Sequence, residues 1–331
     1  MRIAVIGAGD FGALHLKVYQ ELPDVEVAWI CVRHPEKVAA LAQACNCRVT
    51  TRYEDILEDG TVDAVSVLTP EHVHFEQAMA ALEHGKHVLI EKPVSTDAKE
   101  VALLARKAKE KGLVAMPGHT CRFIAGFARA RAYLSQKQII PVSIHAKRNI
   151  PRERLALHNR THPVLMALSH DIDLILSYVH VRPQRIFGMQ RKTDPSLQNP
   201  DIFWGMIQFE DGCIAALETL WVLPTSGRYV ESAMEIAGVD EVVHVNYPSD
   251  AIWIETAHGR DYPDPAFFEY VNGEWTGALK SELAYFVRCV REGRTPEVVT
   301  LEEAAVGVRI AQLLIQSANE GREIAFEEAR V

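Results

Sequence analysis

Short, almost wholly apolar runs open the chain: Ile3 to Ile6, Val25 to Val32, Asp63 to Leu68, His87 to Ile90 and Leu113 to Met116, with a stretch of helical character between successive runs. Runs of this length suit strands buried on both faces, and their separation by helical segments predicts crossover units and a parallel sheet. The clearest helix signals are Ala13 to Leu22, directly after a glycine-rich turn, and Asp97 to Lys111. The second has Ser95 and Thr96 as candidate caps, Asp97 in its first turn, a basic carboxyl end and Gly112 beyond it. A first domain therefore closes near residue 120.

From Val142 the pattern changes to longer strand-like stretches, Val142 to Ile150, Arg185 to Arg191, Phe203 to Phe209, Cys213 to Trp221 and Tyr229 to Ala237, joined by turns such as Glu210-Asp211-Gly212. Successive strands with short turns predict an open, mostly antiparallel sheet. One helical segment, about Pro163 to Val179, interrupts them, and two more close the chain, Ala278 to Glu292 and Leu301 to Asn319, ending at Gly293 and Gly321. The fold class that follows is α/β. A first domain over 1–120 precedes a second over 121–331 built on the open sheet, and its closing helices can pack back on the first. An open sheet leaves a face to be covered, which predicts a homodimer or homotetramer through it.

The chain has 331 residues, 48% hydrophobic content and a formal net charge of -9. That charge argues against a nucleic-acid partner and points to small ligands. No apolar stretch reaches the roughly 18 residues that cross a bilayer, and the amino-terminal apolar run is too short for a secretory signal, so no membrane partner and a cytoplasmic location are expected. Six scattered cysteines, of which only Cys45 and Cys47 are close, fit a reducing compartment.

Chemistry enters at Gly7-Ala8-Gly9-Asp10-Phe11-Gly12, which follows the first strand directly and leads into a helix. In this context the three glycines are a dinucleotide fingerprint: Gly7 for the tight turn, Gly9 for close approach of a pyrophosphate, Gly12 for helix-on-strand packing. The first domain is therefore a Rossmann domain, with Asp10 and Phe11 in its phosphate loop. At the end of the second strand, where an acidic residue would bind the ribose hydroxyls of NAD, the chain has Val32-Arg33-His34-Pro35. Arg33 can pair with a 2′-phosphate, which tilts the reading of NAD(P) towards NADP. Thr69 and Pro70 end the third run and line the ligand crevice; Glu91-Lys92-Pro93 ends the fourth. Lys92 is placed to donate a hydrogen bond where negative charge develops.

These motifs, with His15, His74, His119 to Phe123 and His170-Asp171-Ile172-Asp173, resemble the glucose-fructose oxidoreductase, inositol dehydrogenase and rhizopine-catabolism family over essentially the whole chain. The glutamate-lysine-proline motif is the most specific of them. The resemblance implies an amino-terminal Rossmann domain, a carboxyl-terminal α+β domain over 121–331 that binds substrate and oligomerises, and hydride exchange between nicotinamide and a carbinol carbon of a sugar or cyclitol. Lys92 and His170 would be catalytic. Thr69, Pro70, His74, Glu91 and Pro93 would lie at the cofactor, and His119, Arg122, Arg148, Arg160 and Asp173 at the substrate. His170 suits acid/base work because imidazole titrates near neutral pH. On a regular helix Met166, His170 and Asp173 share one face. The family pattern has an aspartate where this chain has Met166.

The segment from Lys147 to Arg160 carries five basic residues, Lys147, Arg148, Arg152, Arg154 and Arg160, against Glu153 alone, inside an acidic protein, which points to an anionic substrate such as a nucleotide-sugar, sugar phosphate or uronate. His158 and His162 lack a third ligand of suitable spacing, so no metal is expected. Two alternatives share the fold: a lyase or glycosidase that uses transient oxidation, and a regulator that senses the dinucleotide.

Overall fold

Ile3, Ala4, Val5 and Ile6 are at most 2% exposed in the computed structural model, which describes residues 1–155, 160–224, 229–248, 252, 254–256 and 259–327. They form β1 (Arg2–Ile6), the first strand of a repeating pattern: α1 (Asp10–Glu21), β2 (Glu26–Cys31), α2 (Ala39–Cys45), β3 (Arg48–Thr50), α3 (Glu54–Glu58), β4 (Ala64–Val67), α4 (His74–Glu83), β5 (His87–Glu91), α5 (Ala98–Lys111) and β6 (Ala115–Gly118). The six strands are parallel in the order β3-β2-β1-β4-β5-β6. Ser66, the polar residue in β4, is fully buried and shares a 2.7 Å hydrogen bond with the Tyr19 hydroxyl. At the start of α5 the cap is Asp97, whose carboxylate accepts from Lys99 N at 3.0 Å, and Ser95 accepts from Asp97 N. The shift of one or two residues from the expected caps follows from this pair of side-chain turns.

The chain continues through α6 (Ala125–Lys137), β7 (Ser143–Asn149), a π-helical turn (Val164–Leu168), α7 (Ser169–Tyr178), β8 (Pro183–Arg191), β9 (Ile202–Phe209), β10 (Ile214–Leu220), β11 (Glu231–Ala237), β12 (Val242–Tyr247) and a small hairpin, β13 (Ile254–Thr256) with β14 (Gly259–Asp261). A second hairpin, β15 (Glu269–Val271) with β16 (Glu274–Thr276), precedes α8 (Ala278–Glu292), α9 (Leu301–Glu320) and β17 (Ile324–Ala325). The larger sheet has the order β12-β11-β7-β10-β9-β8-β17 and is antiparallel except for the parallel pair β7 and β10. Along β9, Phe203, Ile207 and Phe209 are buried while Trp204 and Met206 stand 42% and 49% exposed, the alternation of a sheet with one covered face. Gly188 and Gly205, paired across β8 and β9, let α9 approach that covered face. A Cβ on Gly188 would stand 2.4 Å from Leu314 O, and Ser317 Oγ instead accepts from Gly188 N at 3.0 Å.

The compact units do not follow the chain. One comprises Met1–Phe123 and Phe267–Ala305; the other comprises Ile124–Ala266 and the chain from Val306 onward. The chain beyond Phe123 is therefore divided between the two units. The reason is apolar burial: Leu279, Leu283, Phe286, Val287, Cys289 and Val299 belong to the same core as Ile3, Val5, Leu16 and Ile30. All six cysteines are free thiols. Among the described residues no helix is long and apolar enough to cross a membrane.

Candidate active site

β1, β4 and β5 are neighbours in the parallel sheet, so the loops that leave their carboxyl ends meet at one edge. Those loops carry Gly7–Gly12, Thr69–Pro70 and Glu91–Pro93. Gly7 has φ +87°, and a Cβ on it would lie 2.6 Å from Leu68 O; a Cβ on Gly12 would lie 2.2 Å from Gly7 O. The protein's own backbone therefore requires both. Gly9 differs, because its Cβ would meet nothing within 4 Å, and it begins α1 without a side-chain cap. The leading N–H groups of α1 thus retain their partial positive charge beside open space, an arrangement that fits a pyrophosphate. Asp10 is exposed in the first turn, and Phe11 packs between Phe267 and His15, with ring centroids 6.3 and 4.9 Å away. Beyond β2, Arg33 and His34 are exposed, and His34 Nδ1 lies 3.3 Å from Glu36 Oε1.

His74, the first residue of α4, is 1% exposed. Its Nδ1 is 2.9 Å from Pro93 O and its Nε2 is 2.6 Å from Thr69 O, so any part it has in cofactor binding runs through these two loops. Burial holds the imidazole below its ordinary pKa, with the Lys92 charge acting in the same direction. Thr69 Oγ1 donates to Gln77 Oε1 at 2.5 Å, a partner the sequence reading missed although Gln77 lies one helical turn minus a residue beyond His74. Lys92 is half-buried between Glu91 and the buried Pro93. Burial raises the Glu91 carboxyl to about 7 against the attraction of adjacent Lys92, and Gly118 makes room for it, since a Cβ there would lie 2.8 Å from Glu91 Oε2.

Beyond β6, His119 is buried and Thr120 Oγ1 donates at 2.6 Å to Glu282, a carboxylate on the apolar face of α8. The polar residue within the spacing Leu279, Leu283, Phe286 was the available signal for Glu282. Arg122, expected at the substrate, is 3% exposed, donates to Val298 O at 3.2 Å and pairs with Glu303 at 3.3 Å.

In the other unit, His170 is half-buried in the first turn of α7, with Asp171 and Asp173 buried beside it. A π-helical turn, Val164–Leu168, stands directly before α7, so Met166 lies in a wider turn than the regular helix on which the spacing of Met166, His170 and Asp173 is read. Arg148 also departs from expectation. Its guanidinium is 5% exposed and bidentate on Asp171, Nε to Oδ2 at 2.7 Å and Nη2 to Oδ1 at 3.0 Å, which commits it inside the protein instead of to an anionic substrate. Even with this partner, burial holds the Asp171 carboxyl above its ordinary value. Arg160 is exposed, and the Arg154 guanidinium lies 4.1 Å over the Tyr229 ring. His162 faces Gln190 Oε1 at 3.0 Å, whereas His158 lies outside the described residues. Among the described residues no group of three or more His, Cys, Asp and Glu side chains is arranged to hold a metal ion.

Comparison with known proteins bears on both units. The profile described as an oxidoreductase family with an NAD-binding Rossmann fold matches residues 1–119, and that of the same family's C-terminal alpha/beta domain matches residues 142–326. The UDP-N-acetylglucosamine 3-dehydrogenase of Acidithiobacillus ferrooxidans is 30% identical over 260 residues, 77% of this chain and 76% of its own length. The 4-carboxy-2-hydroxymuconate-6-semialdehyde dehydrogenase of a Sphingobium species is 39% identical over 124 residues, 37% of this chain and 39% of its own. Among solved structures, myo-inositol 2-dehydrogenase from Lactobacillus plantarum has the same fold, with a TM-score of 0.84 and 20% identity over 99% of both chains. The chain belongs to the glucose-fructose oxidoreductase, inositol dehydrogenase and rhizopine-catabolism family of NAD(P)-dependent oxidoreductases.

Proposed function

We propose that Lys92 and His170 manage the proton while a hydride passes between a bound NAD(P) and a carbinol carbon of an anionic sugar or sugar derivative. The observation that carries the reading is the placement of Lys92 at the carboxyl end of β5, on the same sheet edge as the open helix terminus after Gly9. The cofactor, when bound, supplies the hydride-accepting or hydride-donating ring. Gly9 and the start of α1 hold its phosphates, Thr69, Pro70 and Pro93 line the crevice, and Arg33 and His34 stand at the end of β2 where the ribose binds.

The Lys92 ammonium donates a hydrogen bond to the substrate oxygen, a contact that strengthens as this oxygen gains alkoxide character. His170 takes or returns the hydroxyl proton. Asp171 is engaged by Arg148, so orientation of His170 by an aspartate falls to Asp173. An anionic substrate is favoured by the exposed Arg160 and the basic residues Arg152 and Arg154 in an otherwise acidic chain. Two relatives are named for charged substrates, a UDP-sugar and a carboxymuconate semialdehyde. The exposed Arg33, in a strand end Val32-Arg33-His34-Pro35 that carries no acid, leans the cofactor choice to NADP. The exposed Met189, Trp204, Met206 and Ile214 on β8, β9 and β10 form an apolar surface through which two copies associate in the cytoplasm, a state that light scattering on the purified chain reads directly.

Nicotinamide absorbance, followed with a panel of UDP-sugars, uronates, sugar phosphates and inositols, tests the reading. Lys92→Ala should lower kcat by about 100-fold or more with cofactor affinity within about threefold of the parent. Equal turnover in variant and parent removes Lys92 from the chemistry, and a best substrate without charge removes the anionic assignment.

A further inference from the structure

His74 joins two pieces of backbone that the sequence keeps apart. Its Nε2 meets the carbonyl of Thr69, the residue that precedes Pro70 at the end of the β4 loop, and its Nδ1 meets the carbonyl of Pro93, the residue directly after Lys92. The ring is 1% exposed and is the opening residue of α4, so its own backbone is fixed by a helix. We propose that His74 is a positioning residue for Lys92, a strut that sets the depth of the Lys92-Pro93 turn relative to the Thr69-Pro70 loop. The role rests on reading Lys92 as the hydrogen-bond donor.

The two acceptors explain why an imidazole serves here. The rigid ring spans both carbonyls: a neutral imidazole donates to one and turns the lone pair of its other nitrogen towards the second, whereas an imidazolium donates to both. The charged groups that act on the ring are Glu71, which favours the second proton, and Lys92, which opposes it together with burial. An amide side chain offers one donor end on a flexible stem, so it restores one contact without the fixed span. Reactions that depend on oriented donors lose about 100-fold for a displacement near 1 Å, so a strut on the carbonyl of the residue next to Lys92 has leverage over rate without touching a ligand.

The test uses the full chain, its His74→Phe and His74→Gln variants, and a probe that needs no substrate. Trace acetic anhydride acetylates each lysine at a rate set by its exposure and nucleophilicity, and mass spectrometry reads the sites separately. In His74→Phe the Lys92 rate should change by at least about threefold relative to the exposed Lys99 and Lys109, with a smaller change in His74→Gln. On a substrate that the parent turns over, kcat should fall by about 10–100-fold with NADH affinity within about threefold. A parent-like Lys92 rate in folded His74→Phe overturns the proposal, as does weakened NADH binding with full turnover at saturation. Where His74→Phe does not fold, the same comparison on His74→Gln decides. Full turnover in Lys92→Ala would instead remove the catalytic reading of Lys92, leaving the labelling result to decide His74 by itself.

Discussion

Replacing Arg148 with methionine isolates what the Arg148–Asp171 pair does. The pair is almost wholly dehydrated, 5% and 0% exposed, and its two N···O distances of 2.7 and 3.0 Å make it bidentate. Methionine keeps most of the stem's volume but leaves a carboxylate in apolar surroundings, which destabilises a fold by about 3–5 kcal/mol. The Asp171 carboxyl, already raised by burial, is pushed further and takes up a proton, so the loss should lie at the lower end of that range in mild acid and the upper end above pH 7. Removing both charges together, as Arg148→Met with Asp171→Leu, should recover most of the loss, to within about 1 kcal/mol of the parent. Urea unfolding of the cofactor-free chain, followed by tryptophan fluorescence, measures Arg148→Met, Asp171→Leu and the double variant, and the cycle yields the coupling directly. A loss under about 1 kcal/mol in Arg148→Met, or a double variant whose losses simply add, would refute the reading of a buried structural pair. Should the folded double variant show an unchanged stability but a Michaelis constant raised about tenfold or more, Arg148 would be a substrate ligand after all.

Gly12→Ala should abolish measurable NADH binding or folding, because its Cβ would stand 2.2 Å from the Gly7 carbonyl and neither backbone can retreat; calorimetric titration of a folded variant at near-parent affinity would contradict this. Glu91 holds its proton to about pH 7 in the folded state but only to about 4.5 when unfolded, so the fold should lose about 2–3 kcal/mol as pH rises from 4.5 to 7. Glu91→Gln should remove that slope and raise stability at pH 8 relative to the parent, as pH-dependent urea midpoints will read. Arg33→Ala should weaken NADPH binding by about tenfold and leave NADH binding nearly unchanged, and a fluorescence titration with equal losses for both would end the NADP assignment.

The first unit was legible because its signals are local. Apolar runs such as Ile3 to Ile6, the glycines at 7, 9 and 12 and the Gly112 terminus each act on their immediate neighbours, and the family motifs added the roles of Lys92 and His170 as expectations. The hairpin of β15 and β16 had a local signal that went unused: Asn272 and Gly273 both take positive φ, 55° and 90°, as a two-residue turn demands. What was not legible depends on distant partners. Nothing in the basic run 147–160 marks Arg148 as the member that turns inward, since that follows from Asp171 lying 23 residues away on a buried helix. The π-helical turn before His170 likewise has no periodic signature, because every residue from Val164 to Leu168 except Met166 is buried and apolar positions there fit either helix.

The core of the first unit draws on Leu279, Leu283, Phe286 and Val299 as well as on strands from the first 120 residues. On the ribosome those early strands emerge well before the helix that completes their core. At about 5–20 residues per second the interval is on the order of ten seconds. Throughout that time the nascent Rossmann segment carries uncovered apolar surface while the other unit is being made. A chain stopped near residue 123 would keep the glycine loop and Lys92 yet lack its last packing layer, so a cofactor-binding fragment cut at the obvious sequence boundary would aggregate, whereas one that rejoins 1–123 to 267–305 retains what the strands pack against.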